Sequence, residues 1–357
     1  ARRIRQTGAT HVFVNDRERP PLGTIFAVEG GLAQLLQSVG VEPALLVGHS
    51  VGEFAAACLA GVMSFEDALD LVALRGRLMS ALPSGRMLAV RLSAEATASR
   101  LPEDVSLACS NAPELSVVAG PEAAIERFAI ALEQDGVRCT RLVTSHAFHS
   151  AMMDPVLPAF AAAVRRVTLH APDRPILSTA TGALLTDAEA TSPGYWTHHV
   201  RATVRFCEAA RVAFSVAGRV GVEVGPRATA ATFARQVVAA IAKGGGPRSA
   251  VTTTLDPSDA VPEHGAFLRG VSELWTLGVP VDARALYAAE RRRRVSLPTY
   301  PFERKRYFAD PRPAVVGAAS PPPPPALLAP VPAAVPQESA PMPSRLDRFL
   351  PEIVEIV

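Results

Sequence analysis

Long apolar runs are missing from this sequence: even the stretch from Ala55 to Met63 is too short to cross a bilayer as a helix. The opening segment, ARRIRQTGATHVFVNDRERPP, lacks the apolar core of a signal peptide, so a cytoplasmic address without membrane attachment is expected. Cysteine is scarce. Cys58, Cys109, Cys139 and Cys207 form no C-x-x-C pair and have no matching histidine spacing, which excludes a zinc site or a disulfide framework and predicts buried, reduced thiols. Neither sign of charge prevails, since 36 Lys and Arg against 34 Asp and Glu leave a net charge of +2. The one dense basic run, Arg291 to Arg294, has no interleaved aromatics on which bases could stack, so it reads as solvated surface and no nucleic-acid partner is expected.

What remains is a chain of 357 residues, long enough for one large domain or two smaller ones with a substantial core. Through about Ala242 short apolar runs alternate with Ala-rich helical stretches, an α/β pattern. Residues 86–145 carry strand-like RMLAVRL, helical AEATASRL, strand-like VSLACSN and ELSVVAG, helical PEAAIERFAIALEQDG and strand-like VRCTRLV. This β-α-β-β-α-β order predicts a ferredoxin-like insert. Gly244 to Gly246 interrupts the alternation, and VPEHGAFLRGVSELWTLGVPVDARAL beyond it reads as helical. Residues 311–342, rich in Pro and Ala, cannot form a core and should be an extended linker; 343–357 read as an amphipathic helix opening a following domain or serving for docking.

The stretch VEPALLVGHSVGEFAAACLAGV places Ser50 between Gly48 and Gly52, after an apolar strand-like run and before a helix. A G-x-S-x-G at a strand-to-helix turn projects the serine hydroxyl outward, and the helix N-terminus offers backbone N–H groups, Val51 first among them, to a developing oxyanion. A serine nucleophile needs a base. TSHAFHSAMMDP, with His146 and His149 where the insert returns to the main body, is the leading candidate. His198 and His199 in YWTHHV compete, and His49 is assigned to the pocket wall. Arg75, 25 residues beyond Ser50 on an apolar helix, has two readings: an ion pair with Asp67 or Asp70, or a fork gripping a substrate carboxylate.

In order along the chain, GHSVGEFAAACLAGV, LVALRGRLM, HAFHSAMMDP, YWTHHVRATVRF, VEVGP and LPTYPFERKRYF resemble the acyltransferase domain, and following linker, of modular type I polyketide synthases. The resemblance spans roughly Thr24 to Asp310 and implies an α/β-hydrolase-like large subdomain over 1–85 and 146–245, the ferredoxin-like small subdomain over 86–145, and a post-acyltransferase linker over 246–310. It implies that Ser50 attacks the thioester of malonyl-CoA, that His149 is the general base, and that Arg75 holds the free carboxylate. His49, His146 and Phe148 then line the substrate site. The acyl group passes to the phosphopantetheine thiol of an acyl carrier protein, with a ketosynthase and other synthase domains as neighbours and no cofactor or metal. Phe148, where methylmalonyl-using relatives carry a serine, and Val51, where they carry glutamine, imply malonyl.

The resemblance also has gaps. Relatives open with a strand ending in G-Q-G-x-Q, which supplies the second oxyanion donor, and this sequence contains no such motif. The expectation is a missing first strand, slow acylation and leakage to hydrolysis. Two other readings are an esterase or thioesterase of the α/β class, which requires an acidic triad partner, and an inactive scaffold segment.

Overall fold

The computed structural model describes residues 22–255, 262–288, 295–296 and 298–301. The charged opening segment, the basic run at 291–294, the Pro/Ala-rich stretch and the helix expected over 343–357 lie outside the described residues.

Helix α1 (Leu22–Ser38) is followed by a short strand, β1 (Leu46–Val47), then α2 (Gly52–Leu59) and α3 (Phe65–Ser80). Ser64 caps α3 by accepting the Asp67 N–H at 3.0 Å while donating to the Asp67 carboxylate at 2.6 Å. The buried residues of α3, Ala68, Leu71, Val72, Arg75 and Met79, fall on one stripe at helical spacing. That stripe faces a core built on Phe26, Phe54, Phe160 and Trp196.

The insert follows as β2 (Arg86–Val90), α4 (Ala94–Ala98), β3 (Ser106–Ala112), β4 (Leu115–Gly120), α5 (Glu122–Gln134) and β5 (Cys139–Arg141). Its strands pair antiparallel in the order β5-β2-β4-β3, the ferredoxin-like arrangement. Strand β2 shows why. Met87 and Ala89 face one core, while Leu88 and Val90 face Ile125, Phe128 and Leu132 of α5, so period-two alternation serves two apolar layers. β4 lies inside the sheet with all six residues buried.

The chain returns through a 3-10 turn (Ala151–Val156), α6 (Leu157–Val164), β6 (Ile176–Leu177), α7 (Asp187–Ala190) and α8 (Pro193–His199). Then come β7 (Val204–Arg205), α9 (Phe206–Ala213), β8 (Val220–Glu223), α10 (Thr229–Lys243), β9 (Ala250–Thr253) and α11 (Glu263–Thr276). β6 pairs in parallel with β1, β9 with β8, and β7 with β3, so the insert's sheet gains a fifth strand from outside it. Parallel pairs joined through helices mark the α/β class. The alternation does not stop at Gly244 to Gly246: β9 lies beyond it, and α11 buries Phe267, Val271 and Leu274 against Leu36 and Val39.

Among the described residues no helix is long and apolar enough to cross a membrane. All four cysteines are unpaired. Cys109 and Cys207 are buried as expected, but Cys58 and Cys139 are only half-buried.

Candidate active site

Gly48 is required by close approach: a Cβ there would lie 2.1 Å from the Glu53 nitrogen. Gly52 is not, because the nearest atom to a Cβ there would be Glu29 Oε1, 3.7 Å away. Between them Ser50 holds a left-handed backbone, φ 52°, which costs a non-glycine residue about 1–2 kcal/mol. Three consecutive turn bonds hold it there: Gly52 N–H to the His49 carbonyl (3.1 Å), Glu53 N–H to that of Ser50 (3.0 Å) and Phe54 N–H to that of Val51 (3.0 Å). The Val51 N–H makes no hydrogen bond among the described residues, leaving a free donor beside the serine at the start of α2.

His149 also sits at positive φ, 56°, and its buried ring meets the serine, with Nε2 2.7 Å from Ser50 Oγ. Nδ1 lies 2.8 Å from the Ala202 carbonyl, which can only accept, so Nδ1 carries the hydrogen. In the neutral ring Nε2 is therefore a lone pair, and the Ser50 hydroxyl donates to it. Burial, reinforced by the Arg75 guanidinium and His199, holds the imidazole well below its usual 6.5, against an upward pull from the Ala202 bond. At neutral pH the ring is an empty proton acceptor on the serine.

Arg75 reaches the same oxygen, its Nη2 donating to Ser50 Oγ at 3.1 Å. Its side chain is 2% exposed, and Nε and Nη1 have no hydrogen-bond partner among the described residues. The ion-pair reading fails: Asp67 is engaged by Ser64, and Asp70 is exposed, roughly 140° around the helix from Arg75 at 3.6 residues per turn. Burial lowers the guanidinium to about 10, which leaves it cationic at neutral pH. A buried cation with unmet donors beside a hydroxyl–imidazole pair is shaped for a small anionic acyl group.

The other candidates separate. The His146 ring is engaged by Ser145 Oγ (2.8 Å) and the Leu82 carbonyl (3.1 Å), and no contact joins it to Ser50. His198 is exposed, and His199 is buried edge-on to His149, ring centroids 6.4 Å apart. His49 bonds Asn111 Oδ1 at 2.8 Å and packs near Phe206 and Phe233. Phe148 is half-buried, against both the helical core and the core beneath the insert's sheet.

Sequence reasoning missed a polar network behind the serine. The buried Glu53 carboxylate accepts from the Thr179 N–H (2.8 Å), the Thr179 hydroxyl (2.6 Å) and the Tyr195 hydroxyl. His199 Nε2 stands 3.5 Å away, too far for a well-formed hydrogen bond. Burial pushes the Glu53 carboxyl up, but His199, Thr179 and Tyr195 outweigh it and hold it below the usual carboxylate value. Only an acidic residue amid the alanines of EFAAACLAG hinted at this.

A family model for the acyl transferase domain matches residues 22–274. The spectinabilin polyketide synthase system protein NorB of Streptomyces orinoci is 41% identical over 288 residues, which cover 79% of this chain but 13% of NorB. The acyltransferase domain from the second module of the salinomycin polyketide synthase is 36% identical, with a TM-score of 0.73 over 84% of this chain and 72% of that one. The acyltransferase domain of SpnD, solved in complex with 2-(pent-4-yn-1-yl)malonyl, is 37% identical, with a TM-score of 0.67 over 72% of this chain and 62% of that one. With the family match running from α1 through nearly all of α11, this chain belongs to the acyltransferase domains of polyketide synthases.

Proposed function

We propose that the chain transfers a malonyl group from malonyl-CoA, through an ester on Ser50, to the phosphopantetheine thiol of an acyl carrier protein. This would be one step within a larger synthase that also carries a ketosynthase. The observation that supports this reading most is Arg75, a buried cation with two donors unmet among the described residues and a third on the serine oxygen. A neutral acyl group would leave it unpaired, whereas the malonyl carboxylate would satisfy it bidentately.

The proposed steps follow from the hydrogen-bond directions. Ser50 Oγ attacks the thioester carbonyl as its proton moves to His149 Nε2, and the Val51 N–H faces the developing oxyanion. The Ala202 carbonyl keeps the proton on Nδ1, so the ring takes a proton at one nitrogen only. His149 returns that proton to the departing coenzyme A thiolate. The carrier thiol then gives its own proton to Nε2 and attacks the acyl ester, and as the intermediate collapses Nε2 passes that proton to the departing Ser50 Oγ, restoring the hydroxyl and the neutral ring. An esterase or thioesterase reading is weaker, because the expected acidic triad partner is replaced at Nδ1 by a backbone carbonyl.

Steady-state kinetics with malonyl-CoA and a phosphopantetheinylated carrier protein test this. Parallel double-reciprocal lines, with coenzyme A released before carrier is added, are expected; intersecting lines would contradict the acyl-enzyme route.

His149→Ala should lower acylation by several orders of magnitude, and His146→Ala by less than about tenfold. Because His149 is depressed from 6.5, its neutral form survives mild acidification, and the acid limb of kcat/KM for acylation should lie below pH 6.5. An acid limb centred at or above 6.5 would contradict that environment. Phe148→Ser should favour methylmalonyl-CoA over malonyl-CoA, relative to the wild type, by about tenfold, since accommodating one methyl is worth about 1–3 kcal/mol. An unchanged ratio in a competition assay would remove Phe148 from the pocket.

A further inference from the structure

The proposed chemistry leaves one buried carboxylate unused, and its contacts lead to both reacting side chains. Glu53 lies three residues beyond Ser50, its own N–H bonded to the Ser50 carbonyl. Its Oε1 receives the Tyr195 hydroxyl, and Tyr195 belongs to α8. The last turn of that helix carries the chain to Ala202, whose N–H bonds back to the His198 carbonyl at 2.9 Å. Its Oε2 receives both the N–H and the hydroxyl of Thr179. Thr179 in turn accepts the Arg205 N–H on its carbonyl at 2.6 Å, and its hydroxyl, donated to Glu53, lies 3.0 Å from the Gly48 carbonyl. The turn that presents the Ala202 carbonyl to His149 is thus tied on both sides to one carboxylate, and that carboxylate is fixed to the serine's own turn.

We propose, resting on the reading of Ser50 and His149 as nucleophile and base, that Glu53 is a positioning residue. Through Tyr195 on one oxygen and Thr179 on the other, it sets the Ala202 carbonyl that aims the His149 ring at Ser50. A carboxylate suits the place because both of its oxygens accept here, Oε2 from two donors of Thr179 and Oε1 from the Tyr195 hydroxyl. The carboxylate touches neither Ser50 Oγ nor the His149 ring among the described residues; its effect runs through backbone placement, where an error near 1 Å costs about a hundredfold in rate.

Glu53→Gln is a poor probe, because its amide oxygen can accept both Thr179 donors while its NH2 faces the Tyr195 hydroxyl, which can accept. Tyr195→Phe removes the Oε1 arm, and Thr179→Val removes the hydroxyl half of the Oε2 arm while the backbone N–H bond stays, each with little change in shape. With each protein shown folded at the assay temperature, two rates are measured: Ser50 labelling by a fluorophosphonate, and malonyl loading from malonyl-CoA. Both single-arm variants should lose about tenfold to a hundredfold in labelling and in kcat for loading, with KM unchanged. The pH profile adds a readout that general destabilisation would not move. The charged and titratable groups facing the His149 ring are Arg75 on α3, His199 on α8 and His49 at the elbow, and the variants alter none of them. Only the Ala202 bond, which raises the imidazole, is loosened, so the acid limb should move to lower pH. Labelling within twofold of wild type in both variants, or lost rate with an unmoved acid limb, would overturn the positioning role. A wild-type chain that fails to label at Ser50 would instead overturn the underlying reading of the serine.

Discussion

Ser50→Ala is expected to abolish covalent malonyl loading, with a loss of about a millionfold in turnover, while the protein melts close to wild type. The rate falls because no other nucleophile stands at the junction of His149 Nε2 and Arg75 Nη2, which converge on one oxygen at 2.7 and 3.1 Å. Stability changes little because the side chain is half-buried and a left-handed backbone costs alanine about what it costs serine. The His149–Ala202 bond does not depend on the serine, so the imidazole should hold its place. Intact-protein mass spectrometry beside a thermal melt checks both halves. Undiminished acyl-enzyme in the variant would end the assignment of Ser50.

The second large effect belongs to Arg75. Arg75→Met should cost malonyl loading about thirtyfold to several thousandfold, since losing one partner of a buried, hydrogen-bonded charge pair is worth about 2–5 kcal/mol. Acetyl-CoA, which brings no carboxylate, should lose far less, so the malonyl-to-acetyl ratio should collapse. The same variant should be more stable than wild type. Burial lowers the guanidinium from its ordinary value to about 10, so at neutral pH, below both values, the folded state bears the full penalty of keeping it charged. That penalty is on the order of 3 kcal/mol, relieved only as pH rises above about 10. Methionine fills similar space without it, and a melting point several degrees higher is expected. A lower melting point with an unchanged substrate ratio would return Arg75 to a structural role.

Both effects rest on residues visible in the sequence, and the reasons bear on what else could be read there. Ser50 stands out through its short local pattern and TSHAFHSAMMDP through its place in the chain, though the choice of His149 over His146 rests on the resemblance; the insert is legible because β2, β3 and β4 are long enough to show alternation. Arg75 announced itself as a charge on the apolar stripe of α3, but only the fold shows that neither Asp67 nor Asp70 pairs with it. The parallel strands β1, β6 and β7 are two residues each, too short for a period, and β9 hides behind the glycines at 244–246. Glu53 is the clearest case of what sequence conceals. Its partners Thr179 and Tyr195 lie 126 and 142 residues away, and no local spacing can report a contact made by the fold. The Ala202 carbonyl carries no side-chain signal at all, since any residue supplies one.

The central claim is that Ser50 accepts a malonyl group whose carboxylate Arg75 holds. The most direct measurement is peptide mapping by mass spectrometry after brief exposure of the chain to equimolar malonyl-CoA and acetyl-CoA. The account predicts one adduct, malonyl, on the peptide bearing Ser50, discharged when a carrier protein thiol is added. An acetyl adduct of equal yield, or acylation of any residue other than Ser50, would contradict it.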